Sequence, residues 1–151
     1  MRTLAILTIP LIIGLIYVNS NAATNSDLKP KSISAEEMHK MVEDKANFTI
    51  IDARYEKHYK LEHIPGAINI PADKVNAETL AAVAPDMNAK LAFYCTDVDC
   101  TASRIGAAKA IGAGYKYVYE FLGGIKEWKE HNFPVTTAAA ITPAPATAPA
   151  N

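Results

Sequence analysis

The sequence predicts an α/β fold in which a mostly parallel β-sheet is covered by helices on both faces. Two observations predict it. Short apolar, β-rich segments alternate along the chain with segments whose apolar residues have helical spacing. These helical segments join one strand to the next, which is the connection that parallel strands require. Ligands of such sheets bind beyond the carboxyl ends of the strands, so the residues that follow each strand are the candidate site residues.

The first half of the folded region begins with a helix. Ser34 and Glu37 have the spacing of a capping box ahead of an amphipathic segment. The elements that follow are a strand at 48–51 ending at Asp52, a short helical turn at 56–60, a turn at 64–66, and a strand at 67–70 that stops at Pro71.

The second half continues the alternation. Asn76 is placed to cap a helix through Val83. The elements after it are a strand at 91–94, an alanine-rich helix at 102–113 ended by Gly114, a strand at 117–121, and a helix from Gly123-Gly124 through His131. Ile125 and Trp128 are spaced to form the buried stripe of that last helix.

Cys95 is the main candidate for chemistry, because it lies between strand 91–94 and helix 102–113. Backbone N–H groups and the helix dipole favour an anion at such a place, and can convert a thiol into a nucleophilic thiolate. The alternative is an inert cysteine that packs as a small hydrophobe. Asp52 and the turn at 122–124 also follow strands, so we expect them to meet Cys95 at one edge of the sheet.

The composition and the two ends of the sequence limit the possible functions and locations of the protein. The formal charge of −1 and the lack of a basic run after the N-terminal segment exclude nucleic-acid binding. Residues 1–22 read as a cleaved secretory signal, with an uncleaved anchor as the alternative, so we expect a periplasmic or secreted protein without membrane contact after cleavage. One domain is expected at 31–135, followed by a disordered Ala/Pro/Thr tail at 136–151.

Three segments then resemble the rhodanese family of single-domain sulfurtransferases, and in particular its periplasmic members. They are IDAR at 51–54 with EHIPGAINIP at 62–71, FYC at 93–95 with its loop and helix, and the group Gly114, Tyr115, Val118, Gly123, Gly124, Trp128 and Pro134. Together they cover nearly the whole expected domain in the family's order. The resemblance implies a three-layer fold with a mostly parallel five-stranded sheet and helices on both faces.

The resemblance also implies a chemistry. A donor such as thiosulfate would transfer its outer sulfur to Cys95 as a persulfide, and a thiol, a protein thiol or cyanide would accept it. Backbone N–H groups of the loop would stabilise the terminal sulfur anion. The substrate-binding residues implied are Thr96, Asp97, Val98, Asp99, Cys100, Thr101 and Arg104. Asp52 and Arg54 match the family's acidic and basic pair and would support the loop, unless they form a plain surface ion pair.

The loop departs from the family pattern in its charge. Asp97 and Asp99 oppose thiolate formation and repel dianionic thiosulfate, each by on the order of 1–3 kcal/mol at ~5 Å. The first basic residue after Cys95 is Arg104, which could face the pocket or solvent. We therefore expect weak turnover of thiosulfate. Thr101 stands where related phosphatases need an arginine to bind phosphate, which excludes that activity.

Cys100 leaves three possibilities open. The two cysteines could pair, remain free, or act as attacking and resolving thiols in a redox switch. A non-catalytic sulfur-sensing, redox-sensing or binding module with a Cys95–Cys100 disulfide is therefore the alternative function. A dithiol oxidoreductase is a weaker one, because the usual two-residue spacing is missing. The histidines lack zinc-like spacing with the cysteines, so we predict no metal and no other cofactor.

Overall fold

The computed structural model describes residues 29–44 and 48–137, so the expected signal segment and residues 138–151 of the expected tail lie outside the described residues. Ten elements follow one another: β1 (Lys31–Ser32), α1 (Ala35–Asp44), β2 (Phe48–Asp52), α2 (Glu56–Leu61), β3 (Ile68–Asn69), α3 (Ala77–Val83), β4 (Lys90–Tyr94), α4 (Ala102–Gly112), β5 (Tyr117–Phe121) and α5 (Gly124–Glu130). Within this part of the chain, no helix is both long and apolar enough to cross a membrane.

The five strands form one sheet in the order β1-β5-β4-β2-β3, and every pairing of neighbouring strands is parallel. This confirms the predicted α/β fold. The sequence pattern itself identified four strands, and the fifth is β1, a two-residue edge strand in which Lys31 pairs with Tyr119. The central position of β4 places Cys95, its next residue, at the middle of one sheet edge.

Alternation along β4 divides the core into two layers. Phe93 packs with Leu80 of α3 and Ala107 of α4 on one face of the sheet. Tyr94 packs with Trp128 of α5 in the cluster that also takes in α1, on the other face. All five side chains are fully buried. Burial of each large side chain among them stabilises the fold by roughly 1.5–3 kcal/mol, so β4, the strand that ends just before Cys95, is firmly held.

Two helices begin where the sequence predicted. Ser34 Oγ accepts the N–H of Glu37 at 3.2 Å, and the Glu37 carboxylate accepts the N–H of Ser34 at 2.9 Å, which confirms the capping box. Asn76 Oδ1 accepts the N–H of Thr79 at 2.9 Å and caps α3. Such caps typically contribute about 1 kcal/mol each.

After α5, the chain pairs with the turn that follows α2. Thr136 and His63 exchange two backbone hydrogen bonds of 2.9 Å each. Trp128 Nε1 donates to the carbonyl of Pro134 at 2.7 Å just before this contact. Thr136, which the sequence assigned to the tail, is therefore part of the folded unit.

Candidate active site

The carboxyl ends of the central strands meet around Cys95, as the sequence predicted. Asp52 is paired with Tyr94 across β2 and β4, and Tyr94 with Phe121 across β4 and β5. The backbone N–H of Ile125 donates to the carbonyl of Cys95 at 3.0 Å. The start of α5 therefore fixes the main chain of Cys95 directly.

Gly124 makes this close approach possible. Its φ is +60°, in the left-handed region that favours glycine. A Cβ at this position would lie 2.5 Å from the carbonyl oxygen of Cys95 and 2.7 Å from that of Thr96. Gly124, the second of the two glycines that the sequence singled out, thus allows α5 to pack against the cysteine loop.

Cys95 and Cys100 form a disulfide, with their Cα atoms 6.2 Å apart. This separation lies in the usual range of about 4.4–6.8 Å for bridged cysteines. The side chain of Cys95 is 1% exposed, whereas Cys100 is half-buried. In this state Cys100 is the sulfur that an incoming reagent reaches more easily.

Asp97 organises the loop between the two cysteines. Its carboxylate Oδ1 accepts the backbone N–H groups of Asp99 and Cys100, each at 3.2 Å, and its carbonyl also accepts the N–H of Cys100. In the disulfide form these two amides therefore donate to Asp97. The binding of a sulfur anion by the amides of loop residues Thr96 to Thr101 stays a prediction for the reduced form.

Asp52, Arg54 and Tyr94 form a buried hydrogen-bonded cluster beside the site. Arg54 Nη2 donates to Asp52 Oδ2 at 2.6 Å, and Arg54 Nε lies 3.0 Å from Oδ1. The hydroxyl of Tyr94 donates to Asp52 Oδ2 at 2.6 Å. All three side chains are buried, so this is not the surface ion pair that the sequence left open.

The cluster holds the turn after α2 as well as the strand ends. The Tyr94 hydroxyl accepts the N–H of Ile64 at 3.1 Å, and Arg54 Nη2 donates to the carbonyl of Glu62 at 2.7 Å. Among the described residues, no hydrogen bond runs from Asp52 or Arg54 to loop 96–101. The pair thus acts on the end of β4, and its support of the loop stays a prediction.

Burial and charge fix the protonation of this cluster. Burial raises the pKa of Tyr94 strongly, and the adjacent charge of Asp52 and its hydrogen bond raise it further. Burial disfavours the charged form of Arg54, but the hydrogen bonds and charge of Asp52 outweigh it, so the pKa of Arg54 lies above its ordinary value. The tyrosine is therefore a neutral donor and the arginine a permanent cation.

Glu120 of β5 is a buried carboxylate that the sequence analysis did not identify. Its Oε1 accepts the hydroxyl of Ser103 at 2.9 Å and lies 3.7 Å from Nε of Arg104. Arg104 is half-exposed, and its Nη2 lies 3.5 Å from the carbonyl of Val98. Arg104 thus spans Glu120 and the loop. The sequence signal that could have identified Glu120 is its charge on the inward-facing side of an otherwise apolar strand.

A cavity of about 230 Å³ lies between the loop and α5. Its lining residues are Asp97, Val98, Gly123, Lys126, Glu127 and Glu130. Three of these six carry negative charge and one carries positive charge. The surroundings of the loop are thus predominantly acidic, as the sequence of the loop itself suggested.

The fold and the site define an α/β domain with a cysteine-centred loop at the carboxyl edge of a parallel sheet. The sequence model of the rhodanese-like domain matches residues 34–131. The chain belongs to the rhodanese-like domain family.

Several relatives are sulfurtransferases. The thiosulfate sulfurtransferase PspE of Escherichia coli is 39% identical over 79 residues, covering 51% of this chain and 70% of PspE. The thiosulfate sulfurtransferase GlpE of Coxiella burnetii is 29% identical over 102 residues, covering 68% of this chain and 90% of GlpE. An adenylyltransferase and sulfurtransferase of Candida albicans is 28% identical over 101 residues, but the match spans only 23% of that protein.

Solved structures agree with the fold. A protein of Bacillus halodurans superposes with a TM-score of 0.66 at 26% identity, covering 73% of this chain and 80% of that one. A rhodanese with anions from Escherichia coli superposes with a TM-score of 0.50 at 32% identity, covering 60% of this chain and 98% of its own.

Proposed function

We propose that this chain is a sulfurtransferase that carries sulfane sulfur as a persulfide on Cys95. Thiosulfate or another sulfur donor supplies the sulfur, and a thiol or cyanide accepts it. The observation that carries the proposal is the position of Cys95, directly after the central strand of a rhodanese-like domain and fixed by α5. The names of the sulfurtransferase relatives support the same reaction class.

The charges around Cys95 favour a donor that is less anionic than thiosulfate. Asp97 and Asp99 lie in the loop, Glu120 is buried under the start of α4, and loop 96–101 contains no Lys or Arg. Like charges at close range disfavour a dianion, and Arg104 is already engaged with Glu120. A low-molecular-weight persulfide or a protein persulfide therefore suits the site better.

The test starts from protein whose disulfide has been reduced and whose reductant has been removed. We expect thiosulfate or a glutathione persulfide to transfer one sulfur atom to Cys95, a gain of about 32 Da that Cys100→Ser retains, and cyanide to remove that sulfur as thiocyanate. Cys95→Ser should abolish the gain. Cys100→Ser keeps the nucleophile and cannot form the disulfide, so it should gain sulfur without prior reduction. Full transfer activity in folded Cys95→Ser would disprove the proposal.

The disulfide supports a second candidate, a non-catalytic sulfur-sensing or redox-sensing module. In that case the Cys95–Cys100 bond is the resting state and no sulfur is transferred. The same experiment separates the two candidates. A sensing module cycles between dithiol and disulfide but gains no sulfur in either the reduced protein or Cys100→Ser.

We also propose that the protein works in the periplasm or outside the cell. The apolar segment at 4–18 after Arg2, with the small residues Ser20 and Ala22, supports export. A disulfide persists in oxidising compartments, which fits the same location. Fractionation and N-terminal sequencing of protein from the native host test this: a start near Ala23 supports export, and protein that has an intact Met1 and is recovered with the cytoplasm contradicts it.

A further inference from the structure

We infer that Cys100 resolves the Cys95 persulfide and releases its sulfur as hydrosulfide, so that the reduced chain acts as a dithiol-dependent, sulfide-releasing enzyme. This inference rests on the proposed function, since it needs a persulfide on Cys95. It adds a second activity, in which the protein's own Cys100 thiol, and not an external thiol or cyanide, reduces the sulfane sulfur to hydrosulfide. The juxtaposition that carries it is the bonded pair of sulfurs within one loop.

Each step balances. The Cys95 thiolate attacks the outer sulfur of thiosulfate, forms a sulfur–sulfur bond, and displaces sulfite with the bonding electron pair. The Cys100 thiolate then attacks Cys95 Sγ, forms the disulfide, and displaces hydrosulfide. The two cysteine sulfurs together lose two electrons and the sulfane sulfur gains them. The proton of the Cys100 thiol passes to the terminal persulfide sulfur as the Cys100 thiolate forms, so this sulfur leaves as hydrosulfide.

Hydrogen bonds to Asp97 also hold Cys100 in the loop, in addition to the disulfide. Asp97 accepts the N–H of Cys100 through both its carbonyl and its carboxylate, at 3.2 Å each. In the disulfide form the Cα atoms of the two cysteines lie 6.2 Å apart. A thiol positioned in this way acts at a high effective concentration, so attack within the loop outpaces an external thiol.

The charges of the site favour departure of hydrosulfide. A terminal persulfide anion needs positive charge or free N–H donors beside it. Loop 96–101 contains no Lys or Arg, and the amides of Asp99 and Cys100 already donate to Asp97. A persulfide anion on Cys95 therefore has no cationic side chain from this loop beside it, and its conversion to a disulfide relieves the repulsion from the carboxylates of Asp97 and Asp99.

A dithiol reductant must then regenerate the enzyme. Cys95 is 1% exposed and Cys100 is half-buried, so a reductant thiolate reaches Cys100 Sγ and Cys95 leaves as the thiolate. The second thiol of the reductant displaces Cys100 and leaves the reductant as a disulfide. A monothiol such as glutathione, which lacks a second thiol, should instead be found attached to Cys100.

The test is a single turnover of reduced, reductant-free protein with thiosulfate under anaerobic conditions. Wild type should release about one sulfite and about one hydrosulfide per chain and lose about 2 Da. Cys100→Ser should release about one sulfite, less than about a tenth of that amount of hydrosulfide, and retain the gain of about 32 Da.

The outcomes separate the two proposals. If wild type also keeps the added sulfur and releases no hydrosulfide, Cys100 does not resolve the persulfide, and this inference fails while the proposed function stands. If Cys100→Ser takes up no sulfur from thiosulfate or from glutathione persulfide, the proposed function fails and this inference with it. Hydrosulfide release by Cys100→Ser equal to that of wild type also overturns the inference.

Asp97 provides an independent test of positioning. Asp97→Ala removes the carboxylate acceptor for the Cys100 amide and should slow hydrosulfide release about tenfold relative to sulfite release. Asp97→Asn keeps an acceptor oxygen in the same place and should restore most of the rate. Equal ratios of hydrosulfide to sulfite release rates in wild type and Asp97→Ala would refute this role.

Discussion

Removing one buried hydroxyl, in Tyr94→Phe, tests whether the cluster beside the active loop stabilises the domain. The hydroxyl donates to Asp52 Oδ2 at 2.6 Å and accepts the N–H of Ile64 at 3.1 Å. Phenylalanine keeps the ring, so no cavity forms. The variant loses a charge-assisted hydrogen bond and leaves a buried N–H of Ile64 without its partner, for a total of about 3 kcal/mol.

Equilibrium unfolding in urea measures this loss. With a slope of about 1.5 kcal/mol per molar urea, a loss of about 3 kcal/mol lowers the midpoint by about 2 M. Tyr117→Phe is the matched control, because Tyr117 is 48% exposed on the same sheet and should change stability by less than about 0.5 kcal/mol. A loss below about 1 kcal/mol in Tyr94→Phe would refute the cluster's role.

Two further changes test the backbone at the site and the end of α5. Gly124→Ala places a Cβ against the carbonyl of Cys95 in a left-handed conformation, and should lower the free energy of unfolding by about 2–3 kcal/mol and slow sulfur uptake. The carbonyl of Glu127 and then the carboxylate of Glu36 raise the pKa of His131 above its ordinary value. The stabilisation that protonated His131 gives the fold is therefore complete below about pH 6.5 and is lost as the pH rises through the raised pKa. Thermal unfolding should therefore separate wild type from His131→Gln at about pH 5.5 and not at about pH 8.5, and a gap that grows with pH would contradict the assignment.

Gly112→Ala is the control for the glycine substitution. Gly112 ends α4, its φ is not positive, and an added Cβ would meet nothing within 4 Å. Alanine in a helix is favoured over glycine by roughly 0.5–1 kcal/mol. The two Gly→Ala changes should therefore have opposite signs in the same urea experiment.

Local sequence signals predicted the elements that local interactions build. The Ser34–Glu37 capping box and the Asn76 cap fix the starts of α1 and α3 through atoms only three residues apart. The apolar run before Cys95 predicted β4, which begins one residue earlier, at Lys90. The meeting of strand ends at Cys95 followed from parallel topology alone.

Features that depend on distant partners could not be predicted in this way. β1 has two exposed residues and no apolar periodicity, and it is a strand because it pairs with β5. Tyr94 and Asp52 are 42 positions apart, so their hydrogen bond has no local signature. Glu120 is tolerated in the core because Ser103, 17 positions away, donates to it.

The structure separates the support of the fold from the chemistry of the loop. The hydrogen bonds that Asp52 and Arg54 make within the described residues lie at the strand ends and at segment 62–70, whereas loop 96–101 is organised by Asp97 and the disulfide. Opening the Cys95–Cys100 bond therefore removes a constraint from the loop and none from the sheet. The passage between dithiol, persulfide and disulfide that we propose would therefore leave the strands paired, because the atoms that change partners are not those that hold the strands together.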